Sequence, residues 1–321
     1  MKHIAILILL LLIALNLFCG SVSIPAADVL AILTEGETSN EGWRYIVLQM
    51  RLPSALTALF TGAALGTAGL MLQSYFRNPL AGPSILGITS GANLAVGIMV
   101  LAMGSISGFA LVSAAMAGSM AVMAVLLILA RRVRQNVTLL IVGILVSYLA
   151  SALLTLMQFN ASAEGIQMLM VWGMGSFNQV GMAQMPLFAS LIILSLIASL
   201  WLIRPLNGWM LGEDYARNLG ISVTAVRWCV LIFTGLLCAV TTAWCGPIAF
   251  VGLSVPHMAR IICRTDNHRS LLPMSMLLGS CCTLLCLWLS TLPDGGRTLP
   301  INALTPLFGI PVILYVLLRK E

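Results

Sequence analysis

Charge is scarce in this chain of 321 residues: Asp, Glu, Lys and Arg together make up 8% of it, against 60% apolar residues. Lysine is almost missing, with Lys2 and Lys320 at the two extremes and arginine supplying every other basic side chain. A Walker A loop sets an internal lysine on nucleotide phosphates, and a Schiff-base enzyme needs a buried lysine amine. Neither can be built from this sequence. No charged residue occurs from Asn78 to Ala130, from Trp228 to His257, from Ser270 to Pro293 or from Thr298 to Leu318. Ion-coupled carriers usually keep carboxylates near the midplane, at an insertion cost of about 2.5 to 3.5 kcal/mol each. Transport by this chain would therefore draw its energy from elsewhere. No His/Asp/Glu constellation marks a catalytic site, which argues against a membrane enzyme. The net charge of +6 comes from arginines between apolar segments, with no aromatic-interleaved basic face, which excludes a nucleic-acid reading.

What is abundant is hydrophobicity, with a mean hydropathy of +1.04. Apolar segments run at 4–22, 46–72, 85–103, 108–130, 137–159, 183–203, 223–244, 247–263, 271–291 and 301–318. The expected fold class is an all-α polytopic membrane protein, ten transmembrane helices in a single domain, 1–321. With both termini cytoplasmic, Arg77, Arg131, Arg132, Arg134, Arg204, Arg217, Arg227, Arg260, Arg264, Arg269 and Arg319 fall inside with both lysines, leaving Arg44, Arg51 and Arg297 outside. That asymmetry sets the orientation. The eight cysteines read as small core residues, because Cys281, Cys282 and Cys286 share one apolar run and no polar ligand pairs accompany them. Phe18 before Cys19 is too bulky for a lipoprotein cleavage site, so 4–22 is expected to be a retained helix.

Small residues recur four apart, as Gly62 with Gly66, Gly87 with Gly91, and Ala110, Ala114 and Gly118. Such rows allow close helix contact, with the lining of a translocation path as the alternative. Phe60-Thr61-Gly62 and Phe233-Thr234-Gly235 hint at two half-repeats. Asn78-Pro79-Leu80-Ala81-Gly82-Pro83 and Gly246-Pro247 cannot continue regular helices and mark shaped turns. His257, beside Pro256, is expected to be structural, and His268 to be solvated in the polar stretch from Arg264 to Arg269. Between the sixth and seventh spans, 208–222 forms the longest inner loop. Glu213 and Asp214 favour a helix start, Leu211, Tyr215 and Leu219 share a face, and Gly220 is a natural stop. The short amphipathic helix this predicts would lie on lipid headgroups or dock a cytoplasmic protein.

Three ordered blocks carry a resemblance. The first holds Arg51-Leu52-Pro53, Gly62 to Leu65, Gly69, Gln73, and Arg77 to Gly87 followed by Ser90-Gly91-Ala92. The second holds Leu211-Gly212, Ala216, Leu219-Gly220, Gly246 to Leu253, Pro256-His257 and Arg260; the third, Leu299-Pro300 with Gly309 and Pro311. The chain resembles the iron-siderophore, haem and cobalamin permeases of binding-protein-dependent ABC importers, and the resemblance spans nearly its whole length. It implies a type II importer permease fold, a homodimer in the inner membrane of a bacterium, a cytoplasmic ATP-binding subunit and an extracytoplasmic substrate-binding protein. ATP would be used by the partner; the permease would be no enzyme and hold no permanent cofactor or metal. Gly212, Glu213, Ala216, Leu219 and Gly220 become the coupling element, and Asn78, Pro79, Gly87, Gly91, Gly252, Pro256 and His257 the structural motif. Arg51 matches a docking position for the binding protein. Ser54, Leu287 and Thr291 depart from the pattern where charged residues are usual, with Arg44 and Arg297 as replacements. The implied cargo is a bulky metal chelate, ferric siderophore first, then haem or cobalamin. The competing reading is an ATP-independent channel or facilitator for a small neutral solute.

Overall fold

The computed structural model describes residues 2–34, 40–102, 108–133, 136–292 and 298–318. They form helices α1 (Lys2–Phe18), α2 (Ala26–Thr34), α3 (Glu41–Tyr45), α4 (Leu52–Phe76), α5 (Ile88–Gly97), α6 (Gly108–Ala130), α7 (Asn136–Phe159) and α8 (Ala163–Gly173). The second half carries α9 (Met185–Leu200), α10 (Ile203–Met210), α11 (Glu213–Asn218), α12 (Val223–Cys245), α13 (Val251–Cys263), α14 (His268–Ser290) and α15 (Ile301–Leu318). No strand occurs among the described residues. A π-helical stretch, Ile46–Arg51, joins α3 to α4, so that Glu41–Phe76 is one continuous helix of 36 residues.

The ten expected spans are corrected in length. Five helices are long and apolar enough to cross a membrane: Glu41–Phe76, α6, α7, α12 and α14. The pair α9 and α10, bent by 51°, is a sixth if it is counted as one span. The segments expected at 4–22, 85–103 and 247–263 are apolar helices of fewer than 18 residues, and 301–318 forms α15, whose apolar stretch Ile301–Val316 is likewise short of a full span. Local chemistry shortens three of them. Helix α1 stops at Phe18, before Gly20 and Pro25; α5 waits for the left-handed turn at Gly87 (φ 76°); α13 waits for Gly246-Pro247 and for Phe250, which sits at φ 64°.

Helix α4 is the axis of the bundle and is buried along almost its entire length. Its glycines each stand against the backbone of a neighbouring helix. A Cβ on Gly62 would collide with the Gly279 carbonyl and Thr283 Oγ1 of α14, one on Gly66 with the Ser275 carbonyl, and one on Gly69 with the Gly252 carbonyl of α13. Between α5 and α6, Gly91 and Gly118 face each other in the same way. These small residues are thus helix contacts, the first of the two readings. Helix packing is reciprocal: α4 of the first half lies along α14 of the second, α12 lies along α6, and α4 and α12 touch each other. Each half runs as a long helix, a proline-bearing turn and a shorter helix. That order supports the half-repeats marked by Phe60-Thr61-Gly62 and Phe233-Thr234-Gly235.

Candidate functional site

The site is built from two helix ends and the breaks between them. At one end of the bundle, where α4 and α6 finish and α12 begins, arginines gather: Arg77 donates to the Trp209 carbonyl (2.6 Å), and Arg227 donates to the Ala130 and Val133 carbonyls (3.0 and 2.8 Å). The Arg131 guanidinium lies 5.1 Å from the Trp228 ring centre. Cationic groups on the last carbonyls of α6 complement the helix dipole.

On this arginine-rich end sits the element read from 208–222. Gly212, at φ 129°, lets the chain turn out of α10, and Glu213 and Asp214 open α11. Glu213 pairs with Arg217 at 2.6 Å across one helical turn, an exposed pair of small energetic weight. Gly220, at φ 77°, closes the helix in a Schellman arrangement, with Ile221 N–H on the Ala216 carbonyl (3.0 Å) and Gly220 N–H on the Arg217 carbonyl (2.9 Å). Ala216 is fully buried, while Leu211, Tyr215 and Leu219 are each more than half exposed. A short helix is therefore anchored on its small side and presents apolar groups outward.

The two motif turns meet each other. In the first, Asn78 Oδ1 accepts from Leu80 N–H (2.9 Å), shaping the turn. His257 Nε2 donates to the Pro79 carbonyl (2.8 Å), and Gln73 donates to the Leu253 carbonyl (3.0 Å) while accepting from Arg260 (2.6 Å). Pro83 packs against Gly252, where a Cβ would lie 2.7 Å from its ring. Gly87 lies against the Gly143 carbonyl and Ser147 of α7. Pro256 is buried inside α13. Pro83, Gly252 and Leu253 line a cavity of about 140 Å³ whose polar lining includes Ser84, Thr89 and Thr242.

His268 corrects the sequence reading: it is 1% exposed rather than solvated. Its Nδ1 lies 2.7 Å from Asn207 Oδ1, an acceptor, so the proton belongs on Nδ1 and Nε2 accepts from the Ser74 hydroxyl (2.6 Å). Asn302 was missed. Its Nδ2 donates to the Gly173 and Pro247 carbonyls (3.0 and 2.6 Å), and its Oδ1 accepts from Ala249 N–H (3.0 Å), satisfying backbone groups that the Gly246-Pro247 break releases. An asparagine within an apolar span, just after Leu299-Pro300, is the signal that could have found it.

At the opposite end Arg51 is 9% exposed, and its guanidinium donates to the Leu17 and Phe18 carbonyls (2.9 and 3.1 Å) and to that of Val22. It borders a cavity of about 250 Å³ that Ser54, Leu287 and Thr291 also line. The three positions that depart from the resemblance are thus brought together with Arg51. With neutral neighbours there, the guanidinium turns to the carbonyl end of α1. Arg297 lies outside the described residues. Arg44 stands on α3. All described cysteines are free, and no cluster able to hold a metal occurs among the described residues.

A buried small-residue bundle with an outward-facing apolar helix at its arginine-rich end defines a multi-pass membrane transport subunit. The chain belongs to the FecCD transport family, whose model matches residues 7–319, and is an inner-membrane permease of an ABC importer. It is 35% identical to the vitamin B12 import system permease protein BtuC of Citrobacter koseri over 279 residues, 86% of this chain and 83% of that one. The Salmonella typhi protein of the same name is 36% identical over 278 residues, 85% and 84% of the two chains. A metal-chelate type ABC transporter solved in an inward-facing conformation matches with a TM-score of 0.86 at 30% identity, over 99% of this chain and 98% of that one. PsaBC from Streptococcus pneumoniae shares the fold, with a TM-score of 0.59 at 15% identity over 83% of this chain and 90% of that one.

Proposed function

We propose that this chain is the membrane-spanning subunit of an ATP-driven importer for a bulky metal chelate, working as a homodimer of ten-span subunits with both termini in the cytoplasm. The observation that carries the reading is the outward apolar face of α11, held at the arginine-rich end by buried Ala216. Gly212, Glu213, Ala216, Leu219 and Gly220 form the coupling element that a cytoplasmic ATP-binding subunit grips and moves. ATP is bound and hydrolysed on that subunit. Arg51, once released from the α1 carbonyls it holds, and Arg297 receive acidic groups of an extracytoplasmic binding protein, a charge-steered and transient contact. The family pattern puts ferric siderophore first as cargo. The vitamin B12 importers among the relatives make cobalamin the second reading.

The test purifies the tagged chain from its native host in mild detergent and identifies what accompanies it. Uptake of radiolabelled cyanocobalamin and of a labelled ferric hydroxamate is then measured in vesicles. An accompanying ATPase with ATP-dependent uptake of either probe supports the proposal. Solute uptake by the chain alone, without ATP, replaces it with the facilitator.

A further inference from the structure

Trp209 is the largest fully buried side chain of the described residues, and it belongs to the segment leading into the coupling element. It sits against the last turn of α4. Its ring stacks on Tyr75 with centres 5.2 Å apart and planes 19° from parallel, and its indole N–H donates to the Tyr75 carbonyl (2.8 Å). Arg77, two residues on, returns a bond to the Trp209 carbonyl (2.6 Å). Arg77 holds φ 49°, a left-handed conformation that a non-glycine residue keeps only where its surroundings impose it. The Tyr75 hydroxyl accepts from Arg227 Nε (2.9 Å), and Arg227 reaches the closing carbonyls of α6. Nearby, Ser74 joins His268 and Asn207, tying α4 to α14 and α10 a second time.

This joint lies at one end of a long element. The continuous helix Glu41–Phe76, at about 1.5 Å per residue, runs about 54 Å. Its other end carries α3, where Tyr45 is exposed. Packed backbone against backbone on α13 and α14, α4 has little room to bend, so a displacement at Tyr75 is passed along its axis. We propose that Tyr75 and Arg77 are positioning residues that fasten α4 to the coupling element, so that movement of α10 and α11 is delivered through α4 to α3 on the opposite face. The inference rests on the coupling role given to α11 above.

The experiment uses the full chain co-purified with its ATPase, with exposed Cys19 changed to Ser and a bimane fluorophore on Tyr45→Cys. In the parent complex, ATP with vanadate is expected to change the bimane signal. In Tyr75→Leu, which removes the stack and the hydroxyl but keeps an apolar side chain, the ATPase is expected to stay bound and hydrolyse ATP. The bimane response is expected to fall about five-fold, within the range seen for residues along a coupling network. An undiminished response in that variant overturns the proposal. Should Tyr75→Leu lose the ATPase, Trp209→Phe deletes the indole bond to the Tyr75 carbonyl and Arg77→Leu the bond returned to the Trp209 carbonyl, and a full response in both overturns it equally. If no ATPase accompanies even the parent chain, the importer reading itself is what fails.

Discussion

A single methyl group at Gly62 tests the α4–α14 contact, because its carbon would collide with the Gly279 carbonyl. Gly62→Ala is expected to cost about 1 to 3 kcal/mol through overpacking. It should lower the thermal midpoint in detergent, whereas Gly181→Ala, with open space around it, leaves the midpoint unchanged. Arg51 allows two properties to be separated. Arg51→Lys keeps the charge but gathers its donors on one nitrogen, which cannot span the carbonyls that the two guanidinium nitrogens reach separately, so melting is expected to fall while binding-protein affinity holds. Arg51→Glu is expected to lose both, the docking deficit against the parent shrinking in high salt as the lost attraction and the new repulsion are both screened; unchanged affinity in Arg51→Glu makes the residue a clamp on α1 alone. The role of Gly220 was legible because a glycine's tolerance of positive φ is a local property. The partners of Arg51 and His268 were not. Arg51 bonds residues about thirty positions earlier in the chain, and His268 bonds Asn207 and Ser74 on two other helices.

The short helix α11 is stopped by a residue at φ 77°, a conformation closed to proline, whose ring fixes φ near −65°. Leu219→Asp with Gly220→Pro is therefore expected to unmake the C-terminal stop and charge the exposed face. Insertion should persist, while ATPase association and uptake fall by an order of magnitude or more, as follows when a central apolar anchor worth about 2 kcal/mol is lost. Co-purification and vesicle uptake check this, and full activity in the double variant removes α11 from the coupling role. The sequence pattern of this element was readable in outline, since acidic start, apolar face and glycine stop all lie within one turn or two. Span lengths were less so. Hydropathy runs through Gly87 and Phe250 without registering that the backbone there is left-handed, so 85–103 and 247–263 looked longer than α5 and α13 are.

For the molecule as a whole, Arg77, Arg131 and Arg227, placed inside by charge asymmetry, meet at one end of the bundle, and Arg51 lies at the other. Reporter fusions at the C-terminus are expected to give fluorescent protein signal and no periplasmic phosphatase activity. The opposite pattern would invert the orientation and place α11 outside. The all-helical membrane class was evident from composition, yet the reciprocal pairing of halves was not, because it depends on which helix each glycine row faces. That pairing governs the order of assembly. Helix α4 enters the membrane well before the ribosome reaches α14, and at about 5 to 20 residues per second the wait is on the order of ten seconds. Through that interval the glycine face of α4 has lipid where Gly279 and Ser275 will later stand. The first half cannot close its core alone, so a nascent chain halted after α7 is a natural substrate for membrane proteases.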